Sequence, residues 1–361
     1  MNTLRRYSLL TFAVACTHLI FGAIVRISGS GMGCGNNWPR CYGSFFPPLN
    51  RPDLIIEVTH RYLASILLLS LIGLMIAAYR RRAEPGVGGV GGVLRSATLA
   101  VTLGFTAAIL GAITVKLGNA PLATLAHWTV AMSLVATVVA TVIRAGGFGG
   151  EAAHGVAASN STRQASMAAA GMALLAVVMG GLTAKYPGAS VACQKFPLCG
   201  PNPDVVPGAI HIQLTHRVLA LLLILHLAFG LLLPMLRRGE AWIYRRGALI
   251  ALTLGIFQLL VAGAMIGMHL PPVLRSLHEA TGVSIWIATF ALACLAHLSG
   301  DGLGYASPLS PRAPVLAGAG ALVAEGATAS DVAESEQWRS SPSRGKEPWE
   351  NKAGLRPGPQ A

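Results

Sequence analysis

Charged residues are scarce in this chain, and their scarcity excludes an ordinary soluble protein. Asp, Glu, Lys and Arg make up 11% of the 361 residues, whereas hydrophobic residues make up 53%. A soluble globular protein usually carries about 25% charged residues. The charges lie mostly in short clusters between long apolar runs, which is the pattern of a polytopic membrane protein. The net charge of +13 therefore requires no nucleic acid partner, because basic residues that flank membrane helices account for it.

A cleavable N-terminal signal peptide is also not expected. Arg5 and Arg6 precede an apolar run that continues to Val25, which is long enough to span a membrane. This run is the first of eight apolar stretches, and each is expected to cross the bilayer as a helix, because only a helix satisfies its own backbone there. The predicted spans are Leu9–Val25, Leu54–Tyr79, Ala97–Val115, Pro121–Ile143, Ala165–Leu182, Ile210–Leu236, Gly247–Met268 and Val273–His297.

Basic residues are concentrated in alternate connections, which predicts the orientation of the chain. They precede span one and fill the connections after spans two, four and six. Because cytoplasmic loops carry an excess of Lys and Arg, both termini are expected in the cytoplasm. Two close cysteine pairs then lie in outer loops, where a disulfide can persist. These pairs are Cys34–Cys41 and Cys193–Cys199.

The two halves of the chain repeat one another. Thr59-His60-Arg61 aligns with Thr215-His216-Arg217, and the cysteine loops align in the same order. Each unit has four spans, so the repeat predicts an all-α membrane protein of two tandem four-helix bundles, parallel to each other and related by an axis along the membrane normal. The predicted domains are an N-terminal bundle (1–145), a cytoplasmic linker (146–164), a C-terminal bundle (165–299) and a disordered cytoplasmic tail (300–361).

Each half places two histidines near the outer end of its even-numbered spans: His60 and His127, then His216 and His278. Two imidazoles at one depth in a four-helix bundle can ligate a heme iron from both sides. The alternative is hydrogen bonding between helices by neutral histidine. Zinc is disfavoured, because a zinc site needs three or four ligands. Four further histidines break the repeat and are predicted to be packing or interfacial residues: His18, His226, His269 and His297.

The halves differ at one carboxylate. Glu57 lies one turn before His60 on the same helix face, whereas the matching residue of the second half is Gln213. A membrane carboxylate beside a bound heme is a candidate proton acceptor, and the alternative is a salt bridge with a nearby arginine. Arg61 and Arg217 follow their histidines, and each is expected either to pair with a heme carboxylate or to reach the membrane interface. The difference predicts a reactive first half and an electron-carrying second half.

The ordered set of these features resembles the heme A synthase family over residues 5–299. The set comprises Glu57-Val-Thr-His60-Arg61, Leu110-Gly111-Ala-Ile-Thr114-Val115 before His127, Thr215-His216-Arg217, His278 and both cysteine loops. The resemblance implies an enzyme that oxidises the C8 methyl group of heme O to a formyl group, giving heme A for cytochrome oxidase. It implies that His60 and His127 hold the heme O substrate, that His216 and His278 hold heme b, and that Glu57 takes part in the oxidation.

The resemblance further implies a multi-pass protein of the bacterial plasma membrane, with heme sites toward the outer face. Its expected partners are membrane lipid, heme O, heme O synthase and an unidentified electron acceptor, and homo-oligomerisation stays open. Two alternative functions are also considered: a membrane electron carrier with two b-type hemes, and a heme transporter or chaperone. The lack of a carboxylate at Gln213 argues against the carrier, as does the position of all four histidines toward one face. Whether the first cysteine pair is structural or redox-active is also left open.

Overall fold

The computed structural model describes residues 2–48 and 50–298, and these residues form eight long helices that are apolar enough to cross a membrane. No β-strand occurs among the described residues, so the all-α prediction is confirmed. Seven predicted spans lie inside one helix each, and Gly247–Met268 exceeds its helix by one residue. The predicted tail, 300–361, lies outside the described residues. The helices are α1 (Asn2–Ile27), α2 (Pro52–Arg80), α3 (Val93–Lys116), α4 (Pro121–Arg144), α5 (Asn160–Lys185), α6 (Pro207–Arg237), α7 (Trp242–Gly267) and α8 (Pro272–Leu298).

The four even-numbered helices, which carry the candidate histidines, all begin at a proline: Pro52, Pro121, Pro207 and Pro272. Proline suits the first helical position because its φ is already helical and its missing N–H has no intrahelical acceptor there. Each candidate histidine then lies within the first three turns of its helix. Each histidine therefore lies near the end of its helix at which the proline stands.

Most helices extend beyond the apolar spans. α1 begins at Asn2, seven residues before the predicted Leu9, and includes Arg5 and Arg6. Charged residues outside the hydrocarbon continue a helix as readily as apolar ones, because Arg has a high helix propensity. At the opposite ends of α2 and α4, Arg80 and Arg144 lie in the last turn, where a cation interacts favourably with the helix dipole.

Helices α4 and α8 form the centre of the described protein. The apolar windows of α4 and α8 are 56% and 50% buried, whereas those of the other helices are 17–22% buried. α1 to α4 pack on one another in sequence and α1 also contacts α4, and α5 to α8 repeat this pattern. The two sets join where α4 meets α5 and α8 and where α1 meets α8. At this junction the Trp286 indole N–H donates to the carbonyl oxygen of Met132 at 3.2 Å.

Candidate functional site

The structure brings together the two candidate histidines of the second half. His216 on α6 and His278 on α8 face each other with ring centroids 6.3 Å apart and ring planes at 76°. In the first half, His60 lies on α2 and His127 on α4, at the equivalent positions of the repeat. The repeat therefore places a pair of imidazoles in each half.

A glycine on the preceding helix lies against three of these four rings. A Cβ atom added at the glycine would come within 3.0–3.3 Å of the histidine Cε1 atom. Such a contact is shorter than ordinary van der Waals contact, so the absence of a side chain is what lets the helix approach the ring. The three pairs are Gly22 with His60, Gly111 with His127, and Gly180 with His216.

Two of the histidines are oriented by backbone carbonyl groups. The Nδ1 atom of His127 lies 2.9 Å from the carbonyl oxygen of Ala107, and Nδ1 of His216 lies 3.0 Å from that of Ala176. A carbonyl oxygen only accepts, so each Nδ1 carries the proton and Nε2 keeps its lone pair. Metal-binding histidines are commonly held in this way by a partner of the other ring nitrogen. Both imidazoles thus keep the lone pair of Nε2, the atom that a metal ion would need.

His60 and His278 are held differently. The Nδ1 atom of each is buried and has no hydrogen-bond partner among the described residues. The His60 ring is stacked on that of His18, with centroids 4.3 Å apart and planes at 6°. The side-chain amide of Gln258 donates to the carbonyl oxygen of His278 at 2.9 Å and lies 3.3 Å from its Nε2. The sequence predicted His18 to be a packing or interfacial residue and gave no sign of its contact with His60. The one available signal was that His18 lies one turn before Gly22, which packs on the same ring.

Glu57 and Gln213 occupy equivalent positions in the structure and perform the same local task. The backbone N–H of Cys34 donates to Oε2 of Glu57 at 2.8 Å, and that of Cys193 donates to Oε1 of Gln213 at 2.5 Å. Both acceptors are buried. Glu57 also forms an ion pair with Arg61, 2.5 Å between Oε1 and Nη2. The salt bridge considered for Glu57 is therefore present, in addition to the contact that holds the loop.

Arg61 and Arg217 fasten the outer loops to the helices. Arg61 donates to the carbonyl oxygens of Asn37 and Pro39 at 3.0 and 2.9 Å. Arg217 donates to the carbonyl oxygen of Lys195 at 2.7 Å and to three further carbonyls of the same loop. These bonds explain why an arginine follows each of the two histidines. Contact of either arginine with a heme carboxylate stays a prediction.

The four loop cysteines form two disulfides. Cys34 is bonded to Cys41 with Cα atoms 4.9 Å apart, and Cys193 is bonded to Cys199 with Cα atoms 4.6 Å apart. Cys16 and Cys294 are free thiols within helices, as expected for packing residues. Each disulfide closes a short loop that the neighbouring arginine and the Glu57 or Gln213 side chain also hold, so both loops are fastened at several points.

A cavity of about 640 Å³ opens between the helices of the second half and α4, and both His216 and His278 line it. Its volume lies in the range of roughly 300–1,000 Å³ typical of cofactor pockets. Its walls are largely apolar, but Lys185, Arg275 and Glu279 also line it. Arg26 of α1 lines the cavity as well and forms an ion pair with Glu279 of α8. The first half thus contributes a charged side chain to the cavity of the second.

Comparisons with known proteins agree with this architecture. The family model described as "Cytochrome oxidase assembly protein" (COX15-CtaA) matches residues 5–54 and 50–290. The heme A synthase of Bacillus licheniformis is 30% identical over 207 residues, which is 57% of this chain and 67% of that protein. The heme A synthase of Shouchella clausii is 29% identical over 263 residues, 72% of this chain and 83% of that protein.

A third relative, the heme A synthase of Geobacillus kaustophilus, is 28% identical over 253 residues, covering 69% of this chain and 77% of that protein. The family match extends from within α1 to within α8 and includes both disulfide loops and all four candidate histidines. The chain therefore belongs to the COX15-CtaA family of cytochrome oxidase assembly proteins.

Proposed function

We propose that this protein is a heme A synthase, which oxidises the C8 methyl group of heme O to a formyl group and so supplies heme A to cytochrome oxidase. The family match and the names of the relatives support this function. The observation that carries it is the repeated histidine site with one unequal residue, Glu57 in the first half and Gln213 in the second. The two histidine sites are alike except that the first has a carboxylate. This difference suits a reacting heme in the first site and a retained heme in the second.

We further propose that the two sets of helices are tandem, parallel four-helix bundles, residues 1–145 and 165–299, joined by a cytoplasmic linker at 146–164. The matching helix contacts in the two sets support this arrangement. Both termini lie in the cytoplasm of a bacterium, and the histidine sites lie toward the outer face of its plasma membrane. The disulfides at Cys34–Cys41 and Cys193–Cys199 support this orientation, because disulfides persist in oxidising compartments.

The second half is the site for heme b, held by His216 and His278. The two rings, whose centroids lie 6.3 Å apart, would hold one iron between them, since a metal–imidazole bond is about 2 Å long. The adjoining cavity offers apolar walls for the macrocycle and cations, including Lys185 and Arg275, for its carboxylates. The Nδ1 atom of His278 is buried without a hydrogen-bond partner among the described residues. A bound heme would therefore fix the orientation of this imidazole. Heme b, when bound, supplies one-electron transfer.

The first half is the site for the substrate, heme O, held by His60 and His127. His127 presents Nε2 because the carbonyl of Ala107 binds its Nδ1–H. Conversion of the methyl group and one water molecule to a formyl group releases four protons and four electrons, so a proton acceptor beside the reacting carbon would assist the reaction. Glu57 is buried one turn from His60 and already accepts hydrogen bonds through both oxygens. We assign the proton-accepting role to this carboxylate. Heme O synthase would supply the substrate, and an electron acceptor would receive the electrons.

Heme analysis tests this function. The purified full-length protein is incubated with heme O under air with an artificial electron acceptor, and the hemes are extracted and separated by chromatography with mass detection. We expect heme A to accumulate with time, while heme b stays constant. Bound heme b without any heme A would favour the electron carrier with two b-type hemes. Transfer of unchanged heme O to an acceptor protein would favour a heme transporter or chaperone.

A further inference from the structure

Three of the four candidate ligand histidines lie against the same two positions of the preceding helix. On that helix, the imidazole faces one residue and also the glycine that follows it by four positions, which is about one helical turn. For His127 these are Ala107 and Gly111 on α3, and for His216 they are Ala176 and Gly180 on α5. For His60 the two positions on α1 are His18 and Gly22.

The residue at the first of these two positions holds the ring differently in the three cases. At His127 and His216 it is an alanine, and its carbonyl oxygen accepts the Nδ1–H. At His60 it is a histidine, and Nδ1 of His60 has no hydrogen-bond partner among the described residues. The His18 ring instead lies parallel to the His60 ring, with centroids 4.3 Å apart and planes only 6° apart. Stacking thus takes the place of the hydrogen bond.

We propose that His18 is a positioning residue for His60, and that its stacked ring sets the plane of the His60 imidazole toward the iron of the substrate heme. This inference rests on the proposed function, which makes His60 a ligand of heme O. Gly22 lets α1 lie directly against the His60 ring, since an added Cβ would lie 3.2 Å from Cε1. His18 and Gly22 together therefore restrict rotation of the imidazole about its side-chain bonds.

The stacked arrangement makes the two ligands of heme O unequal. A hydrogen bond from Nδ1–H to a carbonyl raises the basicity of a ligating imidazole, and His127 has such a bond. His60 lacks it and depends on a ring contact for its orientation. His60 is then the weaker axial donor, and its plane responds to the residue at position 18, whereas the plane of His127 does not.

Electron paramagnetic resonance of the ferric protein tests the proposal, because the g-values of a bis-imidazole heme depend on the angle between the two ring planes. The full-length protein is purified with its heme b, and one equivalent of heme O is added. We compare wild type with His18→Leu, which removes the stacked ring, and with His18→Phe, which keeps a planar ring without nitrogens. His297→Leu is the matched control, since His297 bonds to Ala293 of its own helix.

We expect His18→Leu to shift the largest g-value of the heme O signal and to leave the heme b signal unchanged. His18→Phe and His297→Leu should both give the wild-type heme O signal. Loss of heme O binding in His18→Leu alone would also support the proposal.

A heme O signal that is unchanged in His18→Leu would overturn the proposal, as would equal shifts in His18→Leu and His18→Phe, or an equal shift of the heme b signal. Loss of heme O binding in both variants, with heme b retained, would also overturn it, because the stacked ring alone would then be insufficient. If the wild type shows no low-spin heme O signal, the proposed function itself fails, and the two failures are thus distinguishable.

Discussion

The carboxylate of Glu57 accepts a hydrogen bond from the backbone N–H of Cys34 at 2.8 Å, which ties α2 to the first disulfide loop. In the second half the amide oxygen of Gln213 holds the N–H of Cys193 in the same way. Since a neutral amide performs this task in one half, the loop does not need a negative charge at this position. The charge of Glu57 instead pairs with Arg61, and we assign the carboxylate to the chemistry of the first half.

Replacing Glu57 by glutamine should separate the two roles. Glu57→Gln keeps the oxygen that accepts the Cys34 N–H, so we expect an intact disulfide, wild-type heme b content and no heme A. Glu57→Ala should lose heme A and also stability, because an unsatisfied buried N–H costs about 1–3 kcal/mol. Heme analysis and the temperature at which heme b is released measure the two effects.

The matched control for Glu57 lies in the second half. Gln213→Glu keeps the acceptor for the Cys193 N–H and places a carboxylate four residues before Arg217, as Glu57 stands before Arg61. We expect this variant to retain heme b and heme A formation. Wild-type amounts of heme A from Glu57→Gln would show that the carboxylate is not required for the oxidation.

The glycine beside His216 should be intolerant of a side chain. A Cβ at Gly180 would lie 3.0 Å from Cε1 of His216, whereas nothing lies within 4 Å of a Cβ at Gly171 on the same helix. We expect Gly180→Ala to displace the imidazole and to lower heme b content several-fold. Gly171→Ala should keep full heme b, because alanine is favoured over glycine in a helix by about 1 kcal/mol. The heme b spectrum per protein compares the two, and equal heme b content would contradict the packing described for His216.

The membrane helices and the repeat could be predicted from the sequence because both depend on local patterns. Apolar runs of sufficient length fix where helices cross a bilayer, and prolines such as Pro121 and Pro272 mark where they begin. The pairing of Glu57 with Gln213 followed from the repeat alone. The predicted spans end before the charged ends of the helices, because a polar residue does not stop a helix that has left the hydrocarbon.

Contacts between elements that are distant in sequence could not be predicted. The stacking of His18 on His60 depends on how α1 lies against α2, and the repeat pointed away from His18 because the second half has no histidine at the matching position. The loop carbonyls bound by Arg61 and Arg217 depend on the path of the backbone in loops, which has no sequence signature. A π-helical segment at His226–Leu232 within α6 was likewise unforeseen.

The ion pair between Arg26 and Glu279 should couple the two halves. Arg26 is 22% and Glu279 11% exposed, and Glu279 directly follows His278. In a double-mutant cycle with Arg26→Gln and Glu279→Gln, we expect a coupling energy of about 0.5–3 kcal/mol, because residues joined by an ion pair are not independent. The temperature of heme b release provides the measurement for the four proteins. Strictly additive effects would mean that this contact contributes nothing to the joining of the halves.

Reporter fusions should reveal the orientation of the chain. Alkaline phosphatase becomes active only where its disulfides form, outside the cytoplasm. We expect an active enzyme when it is fused after Asn202, in the outer connection that carries the second disulfide, and an inactive one when it is fused after residue 299. Fusions that give the reverse pattern would invert the proposed topology and place the histidine sites toward the cytoplasm.

The most direct test of unequal roles for the two histidine sites compares His60→Met with His216→Met in a single measurement. Heme A formed and heme b retained are quantified in the same extracts of the purified full-length proteins after incubation with heme O. We expect His60→Met to abolish heme A and keep heme b, whereas His216→Met should chiefly lower or alter heme b. Equal effects of the two substitutions on both hemes would contradict the division into one reacting site and one cofactor site.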